Sequence, residues 1–433
     1  MGTSNSTSTH LELLKASLQE AFDTKFRFTQ KGFRPAKGPP PHNPASLRPK
    51  TPRPDGAWQA AVFEITELHQ AYTGGGEFSG QRNPIHLRLG GTQFYYLPRN
   101  FYRVRHVLNN LPWKIQDNSL WQGAFGSSQV FKMADLGCGS GALSLAVVSW
   151  LSEGGAGAGL REVEISLVDQ GRGVLEMAGE NLRTFAAKVL PGVKVNIHPH
   201  RNGLKSFLNR PEEQGKYHLA GAAMALTELE TRGTHSRRPA KSSGDGRDSM
   251  GEDDSEQTHR TNGLSRLIGL PKKGGLGLLV EPGTRKGYLN MLKVRDQLNN
   301  QAILYPCPHG LSCPLLDGAV TRWCHANLPL PDHFMFDDAL KQKGKLSLHM
   351  EDLNLTGLVW QVGAFQPEYP FSVGHGGRVL SDVMSAGARK GGGGQVDAKQ
   401  KILLVCMDDG KLAEIPAHLA PGIGRGGWVK REN

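Results

Sequence analysis

Val130-Phe-Lys-Met-Ala-Asp135-Leu-Gly137-Cys138-Gly139-Ser-Gly141 decides the fold. Its first seven residues read as a short strand, and a helix is predicted over 142–151. Glycines between a strand and a helix let backbone approach a ligand closely, and the helix N-terminus offers free N–H groups. The spacing is G-x-G-x-G with an acid two residues before the first glycine, unlike the G-x-G-x-x-G of nicotinamide sites. Val163-Glu-Ile-Ser-Leu-Val-Asp169 is predicted as the next strand. Asp169 at its end is placed to accept hydrogen bonds from two ribose hydroxyls. Cys138 reads as a small residue packed in the loop, not as a nucleophile.

Further along, a helix is predicted over 173–190 and strands over 193–198, 217–223 and 275–281. Strands alternating with helices imply parallel βαβ units and a doubly wound α/β sheet. The segment 231–264 interrupts the pattern. It is rich in Ser, Gly, Arg and Asp with almost no large apolar residue, and is expected to be a disordered insertion. Upstream, 10–24 reads as an amphipathic helix and 57–115 as helical, with Phe101, Val104, Val107, Leu108 and Leu111 at helical spacing. Between them, residues 31–56 hold Lys31, Arg34, Lys37, Arg48, Lys50 and Arg53 among prolines, as a solvated basic arm. Near the C-terminus, 353–362 reads as a strand, and 401–406 and 411–415 as strands flanking Asp408-Asp409-Gly410. The expected organisation is an extension with the basic arm over 1–56, a helical cap over 57–125, the sheet domain over 126–300, and a cysteine-bearing region over 301–433.

The glycine loop, the strand before it and the acid ending the next strand resemble motif I of class I S-adenosylmethionine methyltransferases. That resemblance implies a Rossmann-like sheet and cofactor contacts from Asp135, Gly137, Gly139, Gly141 and Asp169. The N/D-P-P-Y/F motif of adenine- or cytosine-N-methylating enzymes is absent. The corresponding segment reads Met224-Ala-Leu-Thr-Glu228-Leu-Glu. Met224 could touch adenine and Glu228 could act as a base, although a plain helix start accounts for both. No catalytic residue is assigned.

Five cysteines in 433 residues suit a reducing compartment. Three of them crowd together as Cys307, Cys313 and Cys324, within Tyr305-Pro-Cys-Pro-His-Gly-Leu-Ser-Cys-Pro and Arg322-Trp-Cys-His325. Prolines 306, 308 and 314 stiffen the loop, so less chain entropy is lost when a metal closes it. A closed four-thiolate site needs a fourth ligand, and Cys406 is the candidate in the same region. Structural zinc usually shows tighter C-x₂₋₄-C knuckles, so the spacing sits better with an iron–sulfur cluster. His309 and His325 keep zinc open, and unliganded thiols remain the third reading. Pro306-Cys307 superficially matches RNA cytosine-C5 methyltransferases, whose thiolate attacks the base; two further cysteines nearby favour ligation.

A net charge of +11 favours a polyanionic partner, with nucleic acid the commonest. No run of eighteen apolar residues occurs, so no membrane span is expected. The N-terminal segment lacks an apolar signal core, and Glu12, Glu20 and Asp23 are unlike a mitochondrial transit peptide. Its Met-Gly start fits the loose myristoylation pattern by chance.

Taken together, Tyr96-Leu-Pro98, the glycine loop, Met224-Ala-Leu-Thr-Glu-Leu229, Leu279-Val-Glu-Pro-Gly-Thr284, the two cysteine segments and Val405-Cys-Met-Asp-Asp-Gly-Lys-Leu412 resemble one family. It is the Rsm-type, methyltransferase-like proteins of the small ribosomal subunit (the methyltransferase-like protein 17 family, mitochondrial and bacterial). The resemblance runs over roughly residues 60–415. It implies association with small-subunit ribosomal RNA and ribosomal proteins, as an assembly or translation factor. It also implies a 4Fe–4S cluster on Cys307, Cys313, Cys324 and Cys406, and S-adenosylmethionine as a second cofactor. The chain would be a monomer off the ribosome, in bacterial cytoplasm or alternatively in the mitochondrial matrix. One departure is Tyr217-His-Leu-Ala-Gly221, which lacks the acid that often opens the fourth strand. Turnover is left open. The rival readings are an active rRNA methyltransferase and a zinc-stapled RNA-modifying enzyme unrelated to the ribosome.

Overall fold

The computed structural model describes residues 9–18, 20–21, 92–111, 129–153, 159–226, 263–298, 301–307, 309–315, 323–330, 352–363, 376–379, 384–385, 401–407, 411–416 and 428–430. Helix α1 covers 9–18. A π-helical turn, Thr92–Tyr96, leads into α2, Leu97–Asn109. The α/β core follows as β1 (Val130–Leu136), α3 (Ala142–Ser152), β2 (Glu162–Asp169), α4 (Arg172–Val189), β3 (Lys194–Arg201), α5 (Leu204–Leu208) and β4 (Tyr217–Ala223). After α6 (263–268) come β5 (Pro271–Pro282), α7 (Arg285–Asp296), β6 (Ala302–Tyr305), β7 (Ala326–Pro329) and β8 (Asp352–Gln361).

These eight strands form one sheet in the order β3-β2-β1-β4-β5-β8-β6, with β7 also on β8. The β3 to β5 pairs are parallel, and β8 runs antiparallel to both β5 and β6. This is a doubly wound, Rossmann-like sheet with an antiparallel strand inserted before the last one, the class I methyltransferase arrangement. Its topological switch lies between β1 and β4, where ligands bind at the carboxyl ends of the strands.

Each face carries a core. On one, Phe101, Val104 and Val107 of α2 pack with Leu145 and Val148 of α3 and with Phe131 and Met133 of β1. On the other, Met291 and Val294 of α7 and Leu267 of α6 pack on Leu279, Leu358 and Trp360. The helix expected as a cap is therefore one wall of the same core. It is fixed there by Glu153 at the end of α3, which pairs with Arg105 and sits 2.9 Å from His10 of α1.

A second, five-stranded sheet has the order β10-β11-β9-β13, with β12 on β11. Its strands are β9 (Gly376–Val379), β10 (Met384–Ser385), β11 (Lys401–Met407), β12 (Leu412–Pro416) and β13 (Trp428–Lys430). All its pairs are antiparallel.

The expected strands β1, β2 and β4 are found with their limits within a residue. β3 runs on to Arg201, and β5 begins at Pro271, four residues before the expected start. Helix α6 begins at 263, inside the last two residues of the expected insertion. The rest of that insertion, the basic arm, Glu228, Arg389 and Lys390 lie outside the described residues.

The most demanding packing is on β5. Gly277 pairs directly with Trp360 of β8, whose indole is fully buried and lies over the glycine. A β-carbon at Gly277 would fall inside that ring. Gly277→Ala is therefore expected to cost about 1–3 kcal/mol or more, while Gly263→Ala, with open space around it, should be near neutral. Urea unfolding followed by Trp fluorescence checks both; an unaltered midpoint for Gly277→Ala would contradict the packing.

Candidate functional site

The glycine loop turns sharply out of β1. Gly137, Gly139 and Gly141 have φ of 64°, 51° and 93°, conformations that cost little without a β-carbon. β1 pairs in register with β2, Leu136 opposite Val168, so the loop emerges level with Asp169. Asp169 accepts from Gly139 N at 3.2 Å and from Gly171 N at 2.8 Å. A carboxylate has about four acceptor positions, so two remain for a ribose. The space over Gly139 is open, while Ala225, just beyond β4, rests against Gly137. From below, Asn181 of α4 donates to Ser140 O at 3.0 Å and is paired with Gln93 of the π-helical turn.

Asp135 has a different part. It is buried and accepts from Ser144 N and Oγ at 3.1 and 2.7 Å, holding the first turn of α3. Burial pushes its carboxyl up to about 6 against those two hydrogen bonds, with Asp169 adding to the rise. Burial, then Asp135 and Asp169, push the Cys138 thiol well above its usual range. An inert, packed Cys138 agrees with the sequence reading.

The four other cysteines come together. Cys307 lies two residues after β6, Cys324 two residues before β7, Cys313 on the loop between, and Cys406 on β11 of the second sheet. All four line one cavity of about 40 Å³. Its floor is Thr356, Gly357 and Leu358 of β8, the residues between the β6 and β7 pairings. Among the described residues, no three His, Cys, Asp or Glu side chains converge closely enough to share a single metal ion. Tyr288 and Arg295 of α7 and His309 also border the cavity. Tyr288 OH lies 3.3 Å from Cys313 Sγ, and His309 Nε2 lies 3.3 Å from Cys406 Sγ. Arg295 donates from Nε to Cys307 Sγ at 3.2 Å. Burial pushes the Cys406 thiol up, and the neighbouring Cys307, Cys324 and Cys313 add to it. Four thiols in so apolar a pocket cannot ionise together without a cation among them.

Two hydrogen bonds link the centres. Glu281, buried at the end of β5, accepts from Leu226 N at 2.8 Å, next to the Ala225 that covers Gly137. Trp323, beside Cys324, donates from Nε1 to Gly283 O at 2.8 Å in the turn before α7. The sequence reading singled out neither Glu281, Tyr288 nor Arg295 as functional. Its helical spacing after Tyr288 and Leu292 was the available signal for the last.

Residues 257–342 match the model of the family described as mitochondrial small ribosomal subunit Rsm22, about one fifth of the chain. In that segment, which contains three of the four cysteines, the chain is Rsm22-like. No curated protein matches it. Among solved structures, an S-adenosylmethionine-dependent methyltransferase of Methanosarcina mazei aligns at 11% identity and TM-score 0.29, over 55% of this chain and 95% of its own. Loganic acid methyltransferase with SAH aligns at 10% and 0.34, over 63% and 96%. An arsenic(III) S-adenosylmethionine methyltransferase of Chlamydomonas reinhardtii aligns at 11% and 0.27, over 66% and 85%. No helix among the described residues is long and apolar enough to cross a membrane.

The raised Asp135 has a pH signature. The folded chain binds its proton more tightly than the unfolded chain, whose carboxyl titrates near 3.8. Ionisation therefore costs stability as pH rises from about 4 through about 6, at roughly 1.4 kcal/mol per pH unit. Asp135→Asn keeps an acceptor for Ser144 and carries no charge. It should exceed the wild type in stability by about 1–3 kcal/mol at pH 7.5, with the advantage shrinking at pH 4. Urea unfolding at both values checks this, and a pH-independent difference would count against a neutral-preferring Asp135.

Proposed function

We propose that this Rsm22-like chain is a methyltransferase-like factor that binds small-subunit ribosomal RNA during assembly or translation and carries a 4Fe–4S cluster. The cluster would be held by Cys307, Cys313, Cys324 and Cys406. The observation that carries the reading is that these four thiols, three from the loop between β6 and β7 and one from β11 of the second sheet, line one cavity, while Cys138 lies in the glycine loop. A single zinc ion, with Zn–S near 2.3 Å, needs its thiolates about 4 Å apart. Bound there, a cluster ties the loop and β11 into one surface, which is a structural use. The description of the matching family as mitochondrial supports the mitochondrial matrix over bacterial cytoplasm as the compartment. The net charge of +11 supports a nucleic-acid partner.

A second reading, methyl transfer to that RNA, is favoured by Asp169 and the open space at Gly139. In it, S-adenosylmethionine would lie at the carboxyl ends of β1 and β2, its ribose on Asp169 and its nearest backbone at Gly139. The cofactor would supply the methyl group; this chain's part is to bind and orient it. Transfer of labelled methyl from S-adenosylmethionine to small-subunit rRNA separates the two readings, and metal analysis separates both from a zinc-stapled enzyme.

Cys307→Ser, Cys313→Ser, Cys324→Ser and Cys406→Ser should each lose iron and labile sulfide on anaerobic purification, and Cys138→Ser should keep both. Full iron in Cys406→Ser would sink the four-ligand assignment. The RNA reading is tested by salt. Each phosphate contact contributes about 0.7–0.9 to the slope of log affinity against log salt. Replacing Arg378, Arg389, Lys390 and Lys401 by Ala should flatten the slope by roughly two to four. An unchanged slope would move the RNA surface away from the C-terminal region.

A further inference from the structure

We propose that Arg295 is the positioning residue that sets the charge balance of the cysteine centre and, with it, the reduction potential of the bound cluster. This rests on the iron–sulfur reading above. Arg295 stands in the last turn of α7 and is 8% exposed. Its Nε donates to Cys307 Sγ at 3.2 Å, and its terminal nitrogen donates to Leu311 O. One guanidinium thus spans the loop from the first ligand to a point two residues before Cys313. Two turns earlier on the same helix, Tyr288 OH meets Cys313 Sγ, and from the loop His309 Nε2 meets Cys406 Sγ. Three thiols therefore each face a different side chain able to donate once the thiol becomes a thiolate.

Among the three, Arg295 alone brings a permanent charge. A buried guanidinium is costly unless an anion pairs with it. The nearby carboxylate of Asp296 lies 3.8 Å away but is 48% exposed, so water screens it. The Cys307 sulfur is the close, shielded partner. A positive charge hydrogen-bonded to a ligand sulfur favours whichever state of the centre is more negative. Net charge and hydrogen bonds to sulfur are among the factors that set the potentials of such clusters. A cluster held there would take up one electron from a reductant such as dithionite, with no bond to the protein made or broken. Losing Arg295 should therefore make the cluster harder to reduce.

The experiment is a dithionite redox titration of the full-length holoprotein, monitored by visible absorption and electron paramagnetic resonance. At the potential where the wild type is half reduced, Arg295→Gln should show a reduced-to-oxidised ratio about tenfold lower, which is about 59 mV for one electron. Arg295→Lys keeps the charge and should recover most of the shift. Tyr288→Phe should move the potential the same way by less. Full iron content with an unchanged potential in Arg295→Gln would overturn the inference and leave the cluster reading standing. Wild-type protein without iron would sink both. Should Arg295→Gln purify without iron, the apoprotein decides: native circular dichroism with iron restored in Arg295→Lys supports the positioning role. A misfolded apoprotein, or no iron in Arg295→Lys, would reduce Arg295 to loop packing and overturn the inference.

Discussion

The cysteine centre depends on how the outer edge of β8 is shared. Its inner edge pairs with β5 from Leu355 to Gln361. Its outer edge takes two short strands instead of one long one. β6 pairs near Val359–Gln361 and β7 near Asp352–Leu355. The chain leaves the edge after Tyr305 and returns at Ala326, so Cys307 and Cys324 are each pinned two residues from a hydrogen-bonded position. Thr356, Gly357 and Leu358 between them form the cavity floor. Gly357 matters here, because a β-carbon would come within 3.0 Å of both Tyr305 and Val107. Backbone register thus fixes where Cys307 and Cys324 stand, so little chain entropy is left to lose in bringing their thiols together.

The same sheet places the other site at its usual crevice, and the junction of β5 with α7 joins the two. Glu281 reaches back to Leu226 N beside the glycine loop, and Gly283 receives the Trp323 indole from beside Cys324. Thr284 then caps α7 by accepting from Gly287 N at 3.1 Å. Tyr288, Leu292 and Arg295 follow at helical spacing along the cysteine side. Four consecutive residues, Glu281 to Thr284, therefore serve the glycine loop, the cysteine segment and the helix that borders it.

What was legible in the sequence was local. Strand, glycine loop, helix and acid are contiguous, so β1, α3, β2 and Asp169 could be read from periodicity and turn chemistry. Three cysteines were visible because they crowd together in a cysteine-poor chain. β6 and β7 were not read because four residues are too few to show a period. β9, β10 and β13 are as short or shorter. Glu281 stood in a quoted motif, yet its partner is 55 residues away. Asp135 was read as a cofactor contact; the side chain's hydrogen bonds go to Ser144. That difference follows from depth, since residues just before the end of a central strand are buried by the helix that comes next.

The balance of charge explains why the two centres differ in chemistry although they share a sheet. Around the glycine loop two carboxylates lie close together, and the deeper one is held toward neutrality while Asp169 is bound by two backbone N–H groups. That leaves Asp169 with two acceptor positions free of those backbone donors. Around the cysteines the order is reversed. The pocket gathers four potential anions and supplies one buried guanidinium beside a tyrosine hydroxyl and an imidazole. Were all four thiols to ionise, one positive charge would leave a deficit that burial makes severe. Zinc or an iron–sulfur core would remove most of it, and a thiol-bound organic ligand would not. The first site leaves a carboxylate with acceptor positions open at the carboxyl ends of the strands, and the second gathers four thiols around one guanidinium.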